Sequence, residues 1–193
     1  MGLLIKRQLK KGTTLGVWEN KESLELLMLL YSGKKEVNIA NKHRKKEWLA
    51  TRLLLKELSS ECEILYNNYG APQLLKKNIS IAHTQKFIAI IISDYSVGVD
   101  IEKIDERALN VAPKFINLNI HKNLTNESAT LIWSAKECLF KLHQKGNLNY
   151  IKDLSVTPFE LKEKGTLSTY LHKNKYKLNY EKIYNHYLVY FCK

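Results

Sequence analysis

Asp100 and Glu102 stand two positions apart in the stretch YSVGVDIEKID, residues 95–105. Successive side chains of an extended strand point to opposite faces, so the two carboxylates share one face while Val99 and Ile101 share the other, toward a core. A second group of reactive side chains lies in NESATLIWSAKECLFKLHQKG, residues 126–146, a helical stretch that Gly146 is placed to close. Leu131, Ala135, Cys138 and Leu142 form its apolar stripe, and Trp133, Glu137 and Lys141 fall on another face at steps of four. A strand offering two acids to a helix offering one would supply three carboxylates. That donor set suits a hard divalent ion, and Mg²⁺ in particular is held by carboxylates together with phosphate oxygens and water. Lys136 and Lys141 beside it would suit phosphate oxygens. Taken singly, the two acids also read as a solvated strand end. Glu137 with Lys141 alone reads as an i,i+4 pair contributing about 0.2–0.5 kcal/mol to helix stability. Their joint occurrence is what points to chemistry.

These groups need elements to hold them. Leu3–Leu9 and Leu15–Trp18 read as strands, residues 23–32 as a short helix, and residues 41–58 as a longer helix with Asn41 as its cap. Trp48, Leu49, Leu53 and Leu55 give that helix an apolar surface. NNYGAP, residues 67–72, is a turn by its Asn, Gly and Pro. Residues 78–93 read as a hairpin around His83–Lys86, SVGVDIE as one further strand, and VAPKFINLNI as helical in part. The tail, rich in aromatic and β-branched residues, is strand-like. The two helices echo one another: Trp48, Arg52 and Lys56 follow the same steps as Trp133, Glu137 and Lys141. The expected fold class is therefore α+β, a duplicated unit with an N-terminal lobe over 1–97 and a C-terminal lobe over 98–193. In this arrangement Asp100 and Glu102 are expected to face a cleft between the lobes.

The chain has 193 residues, 45% hydrophobic and 26% charged, enough for one sizeable core or two small lobes sharing one. Its net charge of +12 attracts polyanions: nucleic acid, an anionic membrane, phosphorylated ligands or an acidic protein. No zinc-finger spacing or RNA-recognition aromatic motif accompanies that charge, so nucleic acid is not the expected partner. The longest apolar run, Phe87–Ile92, is far too short to span a bilayer, and no membrane partner is expected. MGLLIKRQLK lacks the apolar core and cleavage site of a secretory signal. Three cysteines, Cys62, Cys138 and Cys192, show no metal-ligand spacing. A reducing, cytoplasmic location is the expectation.

VGVDIE, with Gly98, Asp100 and Glu102, followed by WSAKECLFK, residues 133–141, resembles the paired signature of the 4′-phosphopantetheinyl transferases. That signature is Gly-[Ile/Val]-Asp-[Ile/Val]-Glu and then Trp-Ser-x-Lys-Glu-x-x-x-Lys. Upstream, HRKKEWLATRLLLKEL resembles the family's basic helix, YGAPQL its Gly-Lys-Pro turn, and ISIAHT its Ser-His strand. Length and two-lobed organisation resemble the surfactin-synthetase-activating type. The resemblance implies two similar α/β lobes related by pseudo-twofold symmetry, a pseudo-dimer within one chain, and a monomer in solution.

The resemblance also implies a reaction of the holo-acyl-carrier-protein synthase type. A serine hydroxyl of an acidic apo acyl or peptidyl carrier protein attacks the β-phosphate of coenzyme A, the phosphopantetheine arm is transferred, and 3′,5′-ADP leaves. By position, Asp100, Glu102 and Glu137 would hold Mg²⁺ or Mn²⁺. Glu137 would also take the serine proton, directly or through water. Lys141 would bind the coenzyme A phosphates with Lys136 assisting. Arg44, Lys45, Lys46 and Arg52 are placed to meet the 3′-phosphate, and His83 and Thr84 another phosphate. Two departures stand out: the lysine of Gly-Lys-Pro is Ala71, and the serine before His83 is Ala82. Charge-assisted hydrogen bonds contribute about 1.5–3 kcal/mol each. Their loss predicts weaker coenzyme A binding, unless Lys86 or Thr84 substitutes, and leaves open a homologue that binds without transfer.

Overall fold

The computed structural model describes residues 2–32, 38–61 and 63–193. Cys62 lies outside the described residues, and Cys138 and Cys192 are free thiols. The first half runs β1 (Leu3–Lys10), β2 (Thr13–Glu19), α1 (Leu24–Leu30), α2 (Lys42–Leu58), the short pair β3 (Leu65–Tyr66) and β4 (Pro72–Gln73), β5 (Asn78–His83) and β6 (Phe87–Ser93). β1, β2, β6 and β5 form an antiparallel sheet in that order. Asn41 starts α2 as expected: its side-chain oxygen accepts from the Arg44 amide at 3.1 Å, which satisfies an otherwise unpaired helix donor. Leu49, Ala50, Leu53 and Leu54 of α2 are buried together with Trp18, Ile88 and Ile90 of the sheet.

The second half runs β7 (Val97–Lys103), α3 (Glu106–Asn110), a 3₁₀ turn over Ala112–Lys114, α4 (Asn126–His143), β8 (Leu154–Val156), β9 (Lys164–Leu171), β10 (Asn174–Ile183) and β11 (His186–Cys192). Its antiparallel sheet is ordered β7-β11-β10-β9-β8. Thr125 and Ser128 cap α4 reciprocally. Leu131, Ala135, Cys138 and Leu139 share a core with Leu178, Tyr187 and Val189. The mixed α+β composition matches the sequence reading, and the helical part of VAPKFINLNI is limited to the 3₁₀ turn. No helix among the described residues is long and apolar enough to cross a membrane. The C-terminal boundary of α4 differs from the sequence reading. α4 stops before Gly146 because Gln144 itself takes the left-handed position, φ 59°, and its amide bonds back to Phe140. The Gln144 carbonyl is held by the Asn67 side-chain amide at 3.0 Å, a tertiary bond that offsets the cost of that conformation.

A third cluster lies between the two sheets: Leu15, Val17, Ala82, Phe87, Ala89 and Ile91 from the first, Val97, Val99, Ile101 and Leu188 from the second. Alternation along β7 therefore does send Val99 and Ile101 into a core, and that core is the junction of the sheets. Asp100 and Glu102 point the other way, toward α4, and not into a cleft between the halves as the sequence reading has it. Asp100 is 3% exposed. β7 is an edge strand, and the Ser80 hydroxyl of β5 accepts its Val99 amide at 3.0 Å. Gly98 permits α4 to lie this close. A Cβ there would stand 2.4 Å from the Cys138 carbonyl oxygen and 3.2 Å from the Leu142 Cβ.

Lys136 corrects a second expectation. It is 3% exposed, and its ammonium donates to the carbonyls of Phe115 at 2.6 Å, Tyr150 at 2.6 Å and Leu154 at 2.7 Å. All three donors are used inside the fold, so Lys136 is a tie between α4 and the loops flanking it and has none left for a phosphate. Burial pushes its pKa down to about 8.

Three outcomes follow from these contacts. Gly98→Ala should lower unfolding free energy by about 1–3 kcal/mol, read from urea midpoints. Lys136→Met keeps the length and orphans three carbonyls; it should cost about 3 kcal/mol or more by the same measurement. The third concerns His186, which is 5% exposed, stands edge-on to Phe87 at 4.8 Å, and has a buried Nδ1 without a hydrogen-bond partner among the described residues. Burial first, then Lys86 and Lys103, push its imidazole down to about 4. The unfolded chain takes that proton near about 6.5, before the folded one does. The stabilisation is complete above that value and is lost as the pH falls through the folded pKa. The urea midpoint of His186→Phe should therefore drop less than the parent's between about pH 7 and about pH 4.5.

Candidate active site

β7 and α4 bring Asp100, Glu102, Glu137 and Lys141 together. Lys141 Nζ lies 2.7 Å from Asp100 Oδ1, and the Ser134 hydroxyl donates to Oδ2 of the same carboxylate at 2.7 Å. One turn of α4 separates Ser134 from Cys138, so Asp100 is gripped from the helix face that Gly98 lets approach. Trp133 Nε1–H donates to Glu102 Oε1 at 2.9 Å. The Tyr150 hydroxyl donates to Glu137 Oε1 at 2.5 Å. Each acid thus has its own donor: a lysine and a serine, an indole, a phenol.

The crowding of acids is legible in their proton affinities. Burial first, and then the neighbouring Asp100, push Glu102 up to about 7 against the opposing Trp133 bond and Lys141. Burial raises Glu137 as well; the Tyr150 bond opposes it and Asp100 adds to it. Burial works to lower the Lys141 ammonium, yet Asp100 and then Glu137 carry it above its ordinary value. A single lysine facing three half-buried or buried carboxylates leaves an excess of negative charge, which a cation would relieve. The donor set, all carboxylate oxygen, fits a hard divalent ion. It is not a closed cage: among the described residues no three His, Cys, Asp or Glu side chains form a group that could by itself hold a metal. Water or phosphate oxygens would have to complete the shell.

The basic residues lie on the other half of the fold. Arg44 and Arg52 sit two turns apart on α2 with Trp48 between them. The Arg52 guanidinium stacks 3.9 Å over the Trp48 ring, close to the Tyr66 hydroxyl; burial lowers its pKa and Tyr66 opposes that. Arg44 is exposed and its side chain makes no hydrogen bond or ion pair among the described residues. His83 Nδ1 lies 3.4 Å from Glu47 Oε1, which also faces His43 Nδ1 at 3.5 Å. The Thr84 hydroxyl accepts the Phe87 amide at 3.0 Å, closing the hairpin turn. Among the described residues no hydrogen bond or ion pair joins Arg44, Arg52, His83 or Thr84 to Lys141 or to the acids.

At the C-terminal end of α4 it is the 67–72 turn that meets the second half. Asn67 accepts the Tyr69 and Ala71 amides through Oδ1 and donates to the Gln144 carbonyl. Beneath this turn a cavity of about 230 Å³ is lined by Gly70, Ala71, Pro72, Ser80, Phe140 and Lys141, among others. Ala71 opens onto that cavity with no charge to offer. Ala82 is 2% exposed and packs into the cluster between the sheets.

Sequence reasoning missed three contributors. Ser134 adjoins the motif tryptophan and could have been suspected as the partner of Asp100. Trp133 packs edge-on to Phe115 at 4.9 Å, and its N–H also serves Glu102. Tyr150 lies in a loop without periodicity, where the sequence carries no signal of its bond to Glu137.

The profile of the 4′-phosphopantetheinyl transferase superfamily matches residues 96–192, from the approach to β7 through β11. The 4′-phosphopantetheinyl transferase gsp of Aneurinibacillus migulanus is 29% identical over 123 residues, covering 57% of this chain and 52% of that protein. The chain thus spans about half the length of this curated relative. Asp100, Glu102, Glu137 and Lys141 all fall within the matched span, in the order of the motif and held by one strand and one helix; the chain belongs to the 4′-phosphopantetheinyl transferase superfamily.

Proposed function

We propose that this chain transfers the 4′-phosphopantetheine arm of coenzyme A to a serine hydroxyl of an acidic apo carrier protein and releases 3′,5′-ADP. The observation that carries this reading is the meeting of buried Asp100 with half-buried Glu102, Glu137 and Lys141 between β7 and α4.

The roles follow from each group's chemistry. Asp100, Glu102 and Glu137 would hold Mg²⁺, or Mn²⁺ in its place. When bound, the ion supplies charge neutralisation at the pyrophosphate. Glu137 would take the carrier serine's proton, directly or through water, at Oε2, the oxygen that the Tyr150 bond leaves free. Lys141 keeps its charge through Asp100 and has two further N–H donors for a phosphate oxygen. Arg44 and Arg52, with His83 and Thr84 beyond them, are the candidates for the 3′-phosphate end, where a planar guanidinium can donate twice to one phosphate. Lys136 has no role at the ligand. The +12 charge favours encounter with an acidic carrier. The lobes over 1–97 and 98–193, related by a pseudo-twofold axis, would act as a monomer in the cytoplasm.

The test is mass spectrometry of several apo carrier proteins incubated with the protein, coenzyme A and Mg²⁺. The expected result is a gain equal to the arm. Asp100→Ala and Glu137→Gln should each lower kcat/KM at least about a hundredfold, and Arg44→Ala should raise the KM for coenzyme A about tenfold with kcat little changed. No mass gain on any carrier overturns the proposal. Ala71 and Ala82, which remove two donors, favour a second reading, a binder without transfer; coenzyme A binding by calorimetry in the absence of any mass gain would establish it.

A further inference from the structure

Tyr150 belongs to neither sequence motif, yet it is fixed more thoroughly than most loop residues. Its ring stacks on Trp133 with centroids 5.4 Å apart and planes 19° from parallel, and on Phe140 at 5.9 Å and 28°. Its carbonyl receives the Lys136 ammonium at 2.6 Å. Its hydroxyl reaches Glu137 Oε1. The Trp133 on which it stacks donates to Glu102. The two groups that hold Glu102 and Glu137 are therefore the two faces of one aromatic stack, itself backed by Phe115 and Phe140.

A glutamate has three rotatable side-chain bonds, and free rotation would move its carboxylate by several ångström. The phenol removes that freedom for Glu137, the indole removes it for Glu102, and the stack fixes the phenol relative to the indole. Glu137 Oε2 makes no hydrogen bond among the described residues, so the Tyr150 bond leaves that one oxygen for substrate or ion. A small displacement of a reacting group lowers rate steeply.

We propose that Tyr150 is a positioning residue: through its hydroxyl on Glu137 and its stack on Trp133 it sets the spacing and orientation of Glu137 relative to Glu102. The inference rests on the transferase reading of this site. It gives a loop residue outside the motifs a share in how the site is assembled. It also gives Lys136 a purpose: by holding the Tyr150 carbonyl it places the base of the clamp.

Tyr150→Phe tests it, because the ring, its stacking and the backbone bond to Lys136 all remain. The expected result is a kcat lowered about tenfold, a KM for coenzyme A within about twofold of the parent, and an unchanged melting temperature. Mn²⁺ affinity, followed by water-proton relaxation without coenzyme A, should fall about threefold or more. A merely structural role would lower the melting temperature and leave kcat of the folded fraction alone. Unchanged kcat, or a variant that does not fold, overturns the inference. If the parent itself transfers no arm, the transferase reading falls, and Mn²⁺ binding then decides alone: equal affinity in the two proteins overturns the positioning role, and weaker affinity in the variant upholds it.

Discussion

The burial of Asp100 is the constraint on which the rest of this site depends. A carboxylate 3% exposed is tolerable only with strong partners, and it has two, the Lys141 ammonium and the Ser134 hydroxyl. Both come from α4, two turns apart on one helix face. They can reach Asp100 only because the helix backbone touches β7, and it touches β7 only because residue 98 has no side chain. The glycine, the acid and the lysine are one device. Change the distance between strand and helix and the acid loses its counter-charge, Glu102 loses its indole, and Glu137 no longer shares an environment with either.

That device concentrates negative charge in a protein that is otherwise strongly basic. The overall +12 sets the field at long range, while the pocket between β7 and α4 holds three acids and one lysine. Long-range attraction of an anion and short-range affinity for a cation are compatible if the ligand brings both, a phosphate with its metal. The other cations suited to a phosphate stand apart, on α2 and at the end of β5. The Asn67 strap to Gln144 is what ties that half to the last turn of α4. The acids and these cations thus lie on different sheets, with the contact between the sheets supplied by the apolar cluster of Val99, Ile101 and Leu188 against Ala82 and Phe87.

Much of this is legible from sequence where a local rule applies. Asn41 announces α2, alternation announces β7, and the steps of four along α4 place Glu137 and Lys141 on one face. Local rules stop at tertiary questions. Alternation says that Asp100 and Val99 face opposite ways, but not which side holds a helix and which holds a sheet, so the direction of the acids cannot be read. The apolar stripe of α4 does not reveal that a second face is covered by the loops around Phe115 and Tyr150, and for that reason Lys136 reads as exposed when it is buried. The helix end is misplaced to Gly146 because nothing local favours a left-handed Gln144; its support comes from Asn67, distant in sequence.

The same logic bears on the two missing donors. Residues 80 and 82 of β5 face the second sheet, where Ser80 serves the Val99 amide and Ala82 packs among apolar side chains. A hydroxyl at 82 would sit in that dry cluster, so alanine is the residue the surroundings favour there. His83 faces the other way, toward Glu47 on α2. At the 67–72 turn the loss is different in kind: Ala71 lines the cavity, and among the residues lining that cavity Lys141 is the one that carries charge. An ammonium has three N–H groups, and Asp100 uses one. The remaining two make Lys141 at once the partner that holds the buried acid and the cation that a phosphate in this cavity would meet, so the acid that anchors the strand also keeps that ammonium charged.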